Sequence, residues 1–328
     1  MSMVSSVLPK AATFFRGFFA TPTHANKTIK IALLLSATFH FFEFVICNVF
    51  FTQISTPFFV PPIATPIDGV ESFLYAHSII RQYGFFVVQL SLLAVFAATQ
   101  PVLYRDLICL LASVRLLTAG FGLYMFAQGE LTLVQAIPSV VIDMLLAAWL
   151  LAYCPRERVR LTKDAELTLI VQKKIFGMTL TPLLQHRLMQ ALCVIAGATW
   201  MLWGLGSTVF WEIGVANISS DSAAEMNLLN AMQANHVVRN QQGIMLFGIG
   251  AATVLGAYFP FSHLRIIEFV MAQQIINALS AVIELFFGTI LLPQFLTVFS
   301  VQVVTLLLFY ALYPKDAVTF KHDVKQTT

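Results

Sequence analysis

Cys154–Arg187 reads CPRERVRLTKDAELTLIVQKKIFGMTLTPLLQHR, and it is the one long hydrophilic segment inside the chain. It holds seven cations (Arg156, Arg158, Arg160, Lys163, Lys173, Lys174, Arg187) against three acids, Glu157, Asp164 and Glu166. On either side the sequence is strongly apolar. The 328 residues are 58% hydrophobic and 11% charged, with a mean hydropathy of +0.81. Soluble domains carry roughly a quarter charged residues, so a water-facing surface cannot be covered here. The bilayer is the expected solvent.

A spanning helix needs about 20 mostly apolar residues. Runs that meet or approach this length fall at 31–51, 80–99, 107–127, 132–153, 188–210, 243–259, 266–288 and 294–313. The expected fold is an all-α, polytopic membrane protein with about eight transmembrane helices. Alternate loops divide by charge: the N-terminus, 100–106, 154–187, 260–265 and the C-terminus collect 16 of the 19 cations. The opposite loops hold Asp68, Glu71, Glu130, Glu212, Asp221 and Glu225. This positive-inside distribution predicts that both termini are cytoplasmic.

Residues 1–30 contain Lys10, Arg16, Lys27 and Lys30 and no acid. As a helix, Phe14, Phe15, Phe18 and Phe19 would share one side with Arg16 opposite, which suits either an interfacial segment or a basic cytoplasmic tail. A mitochondrial presequence has a similar composition. The expected location is the endoplasmic reticulum in a eukaryote, with a mitochondrial membrane as the alternative. Pro57, Pro61, Pro62 and Pro66 predict an irregular 52–78. The helix-friendly 211–236 carries the sequon Asn217-Ile-Ser219. Cys47, Cys109 and Cys193 fall inside apolar runs and Cys154 at the edge of one, so packing roles are expected, with no disulfide framework. No basic patch interleaved with aromatics supports nucleic-acid binding.

The two apolar halves read as copies of one unit, with an offset near 159 residues. Pro101 matches Pro260, Gln135 matches Gln294, Pro155 matches Pro314 and Gly84 matches Gly243 at that spacing. Arg81 matches Arg239 at 158, Arg105 matches Arg265 at 160, and Val49-Phe-Phe51 echoes Val209-Phe-Trp211 at 160. The predicted organisation is a basic segment 1–30, a four-helix repeat 31–153, a cytoplasmic linker 154–187, a second repeat 188–314 and a tail 315–328. Four spans is an even number, so the repeats are parallel, related by rotation about the membrane normal.

Charges within a bilayer are costly. At about 1.5 Å per residue, His40 and Glu43 in the first span, Arg115 in the third and Asp143 in the fourth all fall near mid-depth. The second half has Trp200 or Met201, Trp203, Gln274 and Gln302 at the matching positions. These four groups are either an asymmetric polar site, able to bind a headgroup, a sterol hydroxyl or a proton, or an Arg115–Asp143 staple with His40 and Glu43 hydrogen-bonded at a helix seam. Gln273, Gln274 and Asn277 form a polar stripe on the seventh span, and Glu284 near its outer end is expected to pair with Arg239. No catalytic constellation, cofactor motif or metal-ligand spacing is recognisable.

Arg239-Asn-Gln-Gln-Gly243 opens a Gly-rich helix, and Asn277-Ala-Leu-Ser-Ala-Val-Ile-Glu284 ends the next. This resembles two families of small four-helix membrane proteins, a bacterial family of unknown function and the scaffold of ergosterol biosynthesis in the endoplasmic reticulum. His40-Phe-Phe-Glu43 is similar to the intramembrane His and Glu of emopamil-binding-type sterol isomerases, where the spacing is one residue longer. The scaffold resemblance implies a non-enzymatic accessory protein in lipid or sterol metabolism, with a membrane-protein partner and a sterol or lipid ligand. The alternatives are a small secondary transporter with a midplane polar site, and an isomerase using His40 and Glu43 as acid and base.

Overall fold

A computed structural model describes residues 24–49, 70–129, 131–157, 178–208 and 236–314, together with 159, 163, 167 and 173–175. Eight long helices run through them: α1 His24–Asn48, α2 Val70–Thr99, α3 Arg105–Ala127, α4 Leu133–Ala152, α5 Pro182–Thr208, α6 His236–Tyr258, α7 Leu264–Phe286 and α8 Leu292–Leu312. Six of them, all but α4 and α6, contain stretches long and apolar enough to cross a membrane. The chain is therefore a multi-pass α-helical membrane protein.

The helices coincide with the predicted runs, and all but α4 start earlier. α1, α2, α5 and α6 gain a turn or more at the N-terminal end: Lys27 falls in the first turn of α1, Arg187 in the second turn of α5, and Pro66 precedes the start of α2. Pro182 opens α5, where its missing N–H costs nothing, and the Thr181 hydroxyl caps the Leu184 N–H at 3.3 Å. The 154–187 linker is thus shorter than expected. It also contains a two-stranded antiparallel hairpin, β1 Lys173–Ile175 and β2 Met178–Leu180, with Lys174 opposite Thr179. The 211–236 loop with its sequon lies outside the described residues, apart from His236, the first residue of α6.

α3 and α7 end in the same device. Gly129 and Gly288, 159 residues apart, adopt φ of 77° and 70°, a conformation that glycine enters without a Cβ clash. Gly129 N–H bonds Phe126 O and Gly288 N–H bonds Leu285 O, each at 3.0 Å. The chain reverses at once into α4 and α8, so each pair lies antiparallel.

Packing follows a rule of four. α1 packs on α2, α3 on α4, α5 on α6 and α7 on α8; α2 touches α3 as α6 touches α7, and α1 touches α4 as α5 touches α8. Between the halves, α2 meets α7, α6 meets α3, and α2 meets α6. Advancing every helix by four returns the same set. α2 and α6 form the centre through Val87, Leu90, Leu93, Met245, Leu246 and Ile249, all buried. α5 and α8 turn Ile195, Leu202, Leu296, Val304 and Leu307 outwards, towards lipid.

Matching side chains also make matching contacts. Asn48 Nδ2 crowds Gly84 as Thr208 Oγ1 crowds Gly243. At the bundle end that carries the short turns, Cys109 Sγ lies 3.5 Å from Cys154 Sγ. Glu268 and Tyr313, each 159 residues further on, are joined by a 2.6 Å hydrogen bond from the tyrosine hydroxyl. Tyr104 and His263 are 159 apart as well, and their rings touch at 5.7 Å between centroids.

Candidate functional site

α1 carries Ser36, His40 and Glu43 at i, i+4 and i+7, one face of a helix. Arg115 reaches that face from α3 and Asp143 from α4. The Arg115 guanidinium donates through Nε to Ser36 Oγ at 3.1 Å and through Nη2 to the same oxygen at 2.6 Å. Nη1 donates to Asp143 Oδ1, and Nη2 lies 2.8 Å from His40 Nε2. His40 Nδ1 lies 2.8 Å from Glu43 Oε2. Ser36, His40, Arg115 and Asp143 are all buried. The four groups expected from depth alone are therefore one connected network.

The network fixes a tautomer. A guanidinium has donors only, so His40 Nε2 must present its lone pair to Arg115. The ring proton then sits on Nδ1 and is donated to Glu43. Both imidazole nitrogens are occupied, and the ring is neutral. Ser36 was not anticipated, although its position one turn before His40 was a readable signal. Its hydroxyl accepts from Arg115, which leaves the arginine well satisfied, and Phe39 adds a ring 5.9 Å from the guanidinium carbon.

The matching places in the second half lack charge. Gln274 and Gln302 stand where Arg115 and Asp143 do, and both are buried. Gln274 Nε2 and Gln302 Oε1 find no hydrogen-bond partner among the described residues. Trp203, matching Glu43, is exposed towards lipid.

The expected Arg239–Glu284 pair is corrected. Glu284 is held by Arg81, from Nε to Oε1 at 3.1 Å and from Nη2 to Oε2 at 3.0 Å, a bidentate geometry. Phe287 lies over the Arg81 guanidinium at 4.3 Å, and Thr289 donates to the Glu284 carbonyl at 2.8 Å. Both arginines were expected at the start of a span, but Arg81 lies about three turns into α2 and Arg239 in the first turn of α6. Lateral packing favours Arg81 as well: α7 has a broader interface with α2 than with its own-half neighbour α6. Arg239 Nε has no hydrogen-bond partner among the described residues.

Deeper in the same α2·α7 seam, Gln89 Nε2 donates to Asn277 Oδ1 at 2.8 Å. Gln89 was missed from sequence, although it follows Arg81 by two helical turns. Several polar atoms of this seam are buried without a partner among the described residues: Arg81 Nη1, Gln89 Oε1, Asn277 Nδ2 and both amide atoms of Gln273. Each unmet buried group costs about 1–3 kcal/mol.

At the turn-bearing end, a cavity of about 370 Å³ is lined by residues of both halves, among them Tyr104, Arg105, Tyr258 and His263. Burial holds His263 below the usual histidine range. Beside it, burial and then the Cys109 thiol push the Cys154 thiol up to about 12. No group of three or more His, Cys, Asp or Glu able to hold a metal ion occurs among the described residues. No protein-family model, curated protein or solved structure matches the chain.

Proposed function

We propose that this chain is a non-enzymatic, multi-pass membrane scaffold or accessory protein that works by binding, in lipid or sterol metabolism. In this reading eight helices span the bilayer as two parallel four-helix repeats, with both termini cytoplasmic, in the endoplasmic reticulum of a eukaryote or a mitochondrial membrane. The contact set that is unchanged on advancing each helix by four supports the repeats. The Gly129/Gly288 and Tyr104/His263 correspondences support them at residue level.

The observation that carries the non-enzymatic reading is the closure of the His40 network. A general acid or base needs a nitrogen or oxygen within reach of substrate, yet both His40 nitrogens are engaged and the ring is buried. Arg115 and Asp143 are spent on each other and on Ser36. Such a network fastens α1, α3 and α4 together and leaves neither His40 nitrogen for a substrate. This weighs against an isomerase built on His40 and Glu43.

A small secondary transporter is the second reading, favoured by the unmet amides between the halves, where parallel-repeat transporters place their sites. The test is purification from native membranes in mild detergent, with identification of stoichiometric proteins and lipids, followed by reconstitution. A bound partner that survives His40→Ala, without turnover by the protein alone, is the expected result. Lipid isomerisation by purified protein that vanishes in His40→Ala would overturn it. Saturable solute flux in liposomes would select the transporter.

A further inference from the structure

Five buried polar atoms along α2 and α7 are unmet among the described residues: the donors Arg81 Nη1, Asn277 Nδ2 and Gln273 Nε2, and the acceptors Gln89 Oε1 and Gln273 Oε1. Rotating the Gln89 and Asn277 amides together exchanges the atoms left over without removing the deficit; one donor and one acceptor remain. Gln273, Asn277 and Glu284 follow one another at i, i+4 and i+11, on one face of α7. That face runs for about 16 Å, from the Arg81–Glu284 pair to mid-depth.

The fold does not need these amides. Val114 and Gly248 are offset by 159 residues from Gln273 and Gln89, and they form the matching contact between α3 and α6. There a Cβ at Gly248 would sit 2.4 Å from Val114 Cγ2. The α3·α6 interface is closed by close apolar packing at the place where α2·α7 carries two glutamines. A buried polar stripe left unmet among the described residues is where the polar atoms of a ligand would find partners.

We propose that the α2·α7 seam binds the uncharged head of a neutral lipid that joins a hydroxyl to carbonyls, the chemistry of a diacylglycerol. This deepens the reading of the chain as a lipid-linked binding protein and rests on it. Arg81 and Glu284 already neutralise each other, so a charged head would bring an uncompensated charge into the bilayer interior. Both donors and acceptors are unmet, so the ligand must accept and donate; donors are in excess, so it must be richer in acceptors. One hydroxyl with ester carbonyls meets both conditions, whereas a lone sterol hydroxyl supplies a single oxygen. Among the described residues α1 and α8, which flank α2 and α7, form no extended contact with each other, and acyl chains would leave between them.

The test uses the full chain in phosphatidylcholine nanodiscs, with 1,2-dioleoylglycerol, cholesterol and glycerol as probes. Dioleoylglycerol is expected to bind saturably and raise the melting temperature; glycerol and cholesterol at equal concentration are expected to do neither. Gln273→Leu with Asn277→Thr, which follows the apolar interface, should melt at or above wild type without ligand. It should bind dioleoylglycerol about tenfold more weakly or worse. Gln273→Met, close in shape, serves as the second variant and should show the same loss by native mass spectrometry. No shift of the wild type by dioleoylglycerol would overturn the proposal. So would an equal shift by glycerol, which would make the source a free polyol, or a Gln273 variant that melts lower yet binds dioleoylglycerol unchanged. Turnover that depends on His40 would refute the non-enzymatic reading and leave these binding results as they stand.

Discussion

Arg115 and Asp143 offer the sharpest test of what the mid-depth charges do. Removing one partner leaves a buried charge without its counter-ion, at a cost of about 3–5 kcal/mol. For Arg115→Gln the loss also reaches Ser36 and His40, which accept three and one of its hydrogen bonds. Asp143→Asn leaves the guanidinium charge uncompensated in a low-dielectric interior. With about 2–4 °C per kcal/mol for a chain of this order, each single variant should melt roughly 6–20 °C below wild type. Arg115→Gln combined with Asp143→Gln should recover more than half of that, because the second half holds Gln274 and Gln302 at the matching places. The assay is thermal unfolding in detergent together with retention of native partners and lipids. A double variant that folds and keeps its partners marks a staple; one that folds and loses them marks a site. Single variants as stable as wild type would show that the two residues do not pair, and the network would fall with them.

Glu284→Gln should destabilise the protein and Arg239→Leu should not, since Glu284 is bonded to Arg81 on α2; equal effects by thermal melting would restore the pairing expected from depth. Gly197→Ala and Gly120→Ala should have opposite signs: a Cβ at Gly197 lies 2.6 Å from Gly250 O, whereas nothing lies within 4 Å of one at Gly120. The first should cost about 1–3 kcal/mol and the second gain about 0.5–1 kcal/mol, and a destabilised Gly120 variant would contradict the lipid-facing placement of that residue. Cys154, pushed up to about 12, should react with maleimide at pH 8 far more slowly than a cysteine placed at Lys163. Its rate should climb about tenfold per pH unit as the thiolate fraction grows; a rate already level by pH 9 would contradict the raised value. A cysteine in 154–187 on a cysteine-free background should stay unlabelled from outside intact cells, and labelling there would invert the proposed topology.

The helices were legible because a bilayer-spanning helix declares itself by length and apolarity, and the tight turns at 100–104 and 259–263 left little freedom in how neighbours pair. The mid-depth cluster was legible for the same reason: a charge inside a bilayer needs a partner, and His40, Glu43, Arg115 and Asp143 were the candidates at one depth in the first half. Lateral position was not legible. Arg81 and Arg239 were expected at matching depths, and the packing of α7 on α2 brings Glu284 to Arg81. Neutral polar residues were the harder class. Ser36 and Gln89 carry no charge to mark them inside apolar runs, so their roles emerge from partners supplied by other helices.

The positions of the polar groups also limit what the fold itself requires. The mid-depth ion pair joins α3 to α4, and its counterpart between α7 and α8 has two glutamines. The α2·α7 seam has glutamines, and its counterpart between α3 and α6 has valine and glycine. Each polar feature therefore occurs at one place, and the residues 159 further along or back differ from it. A feature demanded by helix packing alone would be expected at both places. The closed network in the first half is internally satisfied, so its charges are compatible with stability. The seam is not satisfied, and it retains a standing cost that an apolar substitution following Val114 and Gly248 would remove. The polar atoms of Gln89, Gln273 and Asn277 left without partners among the described residues are those that the proposed ligand would satisfy.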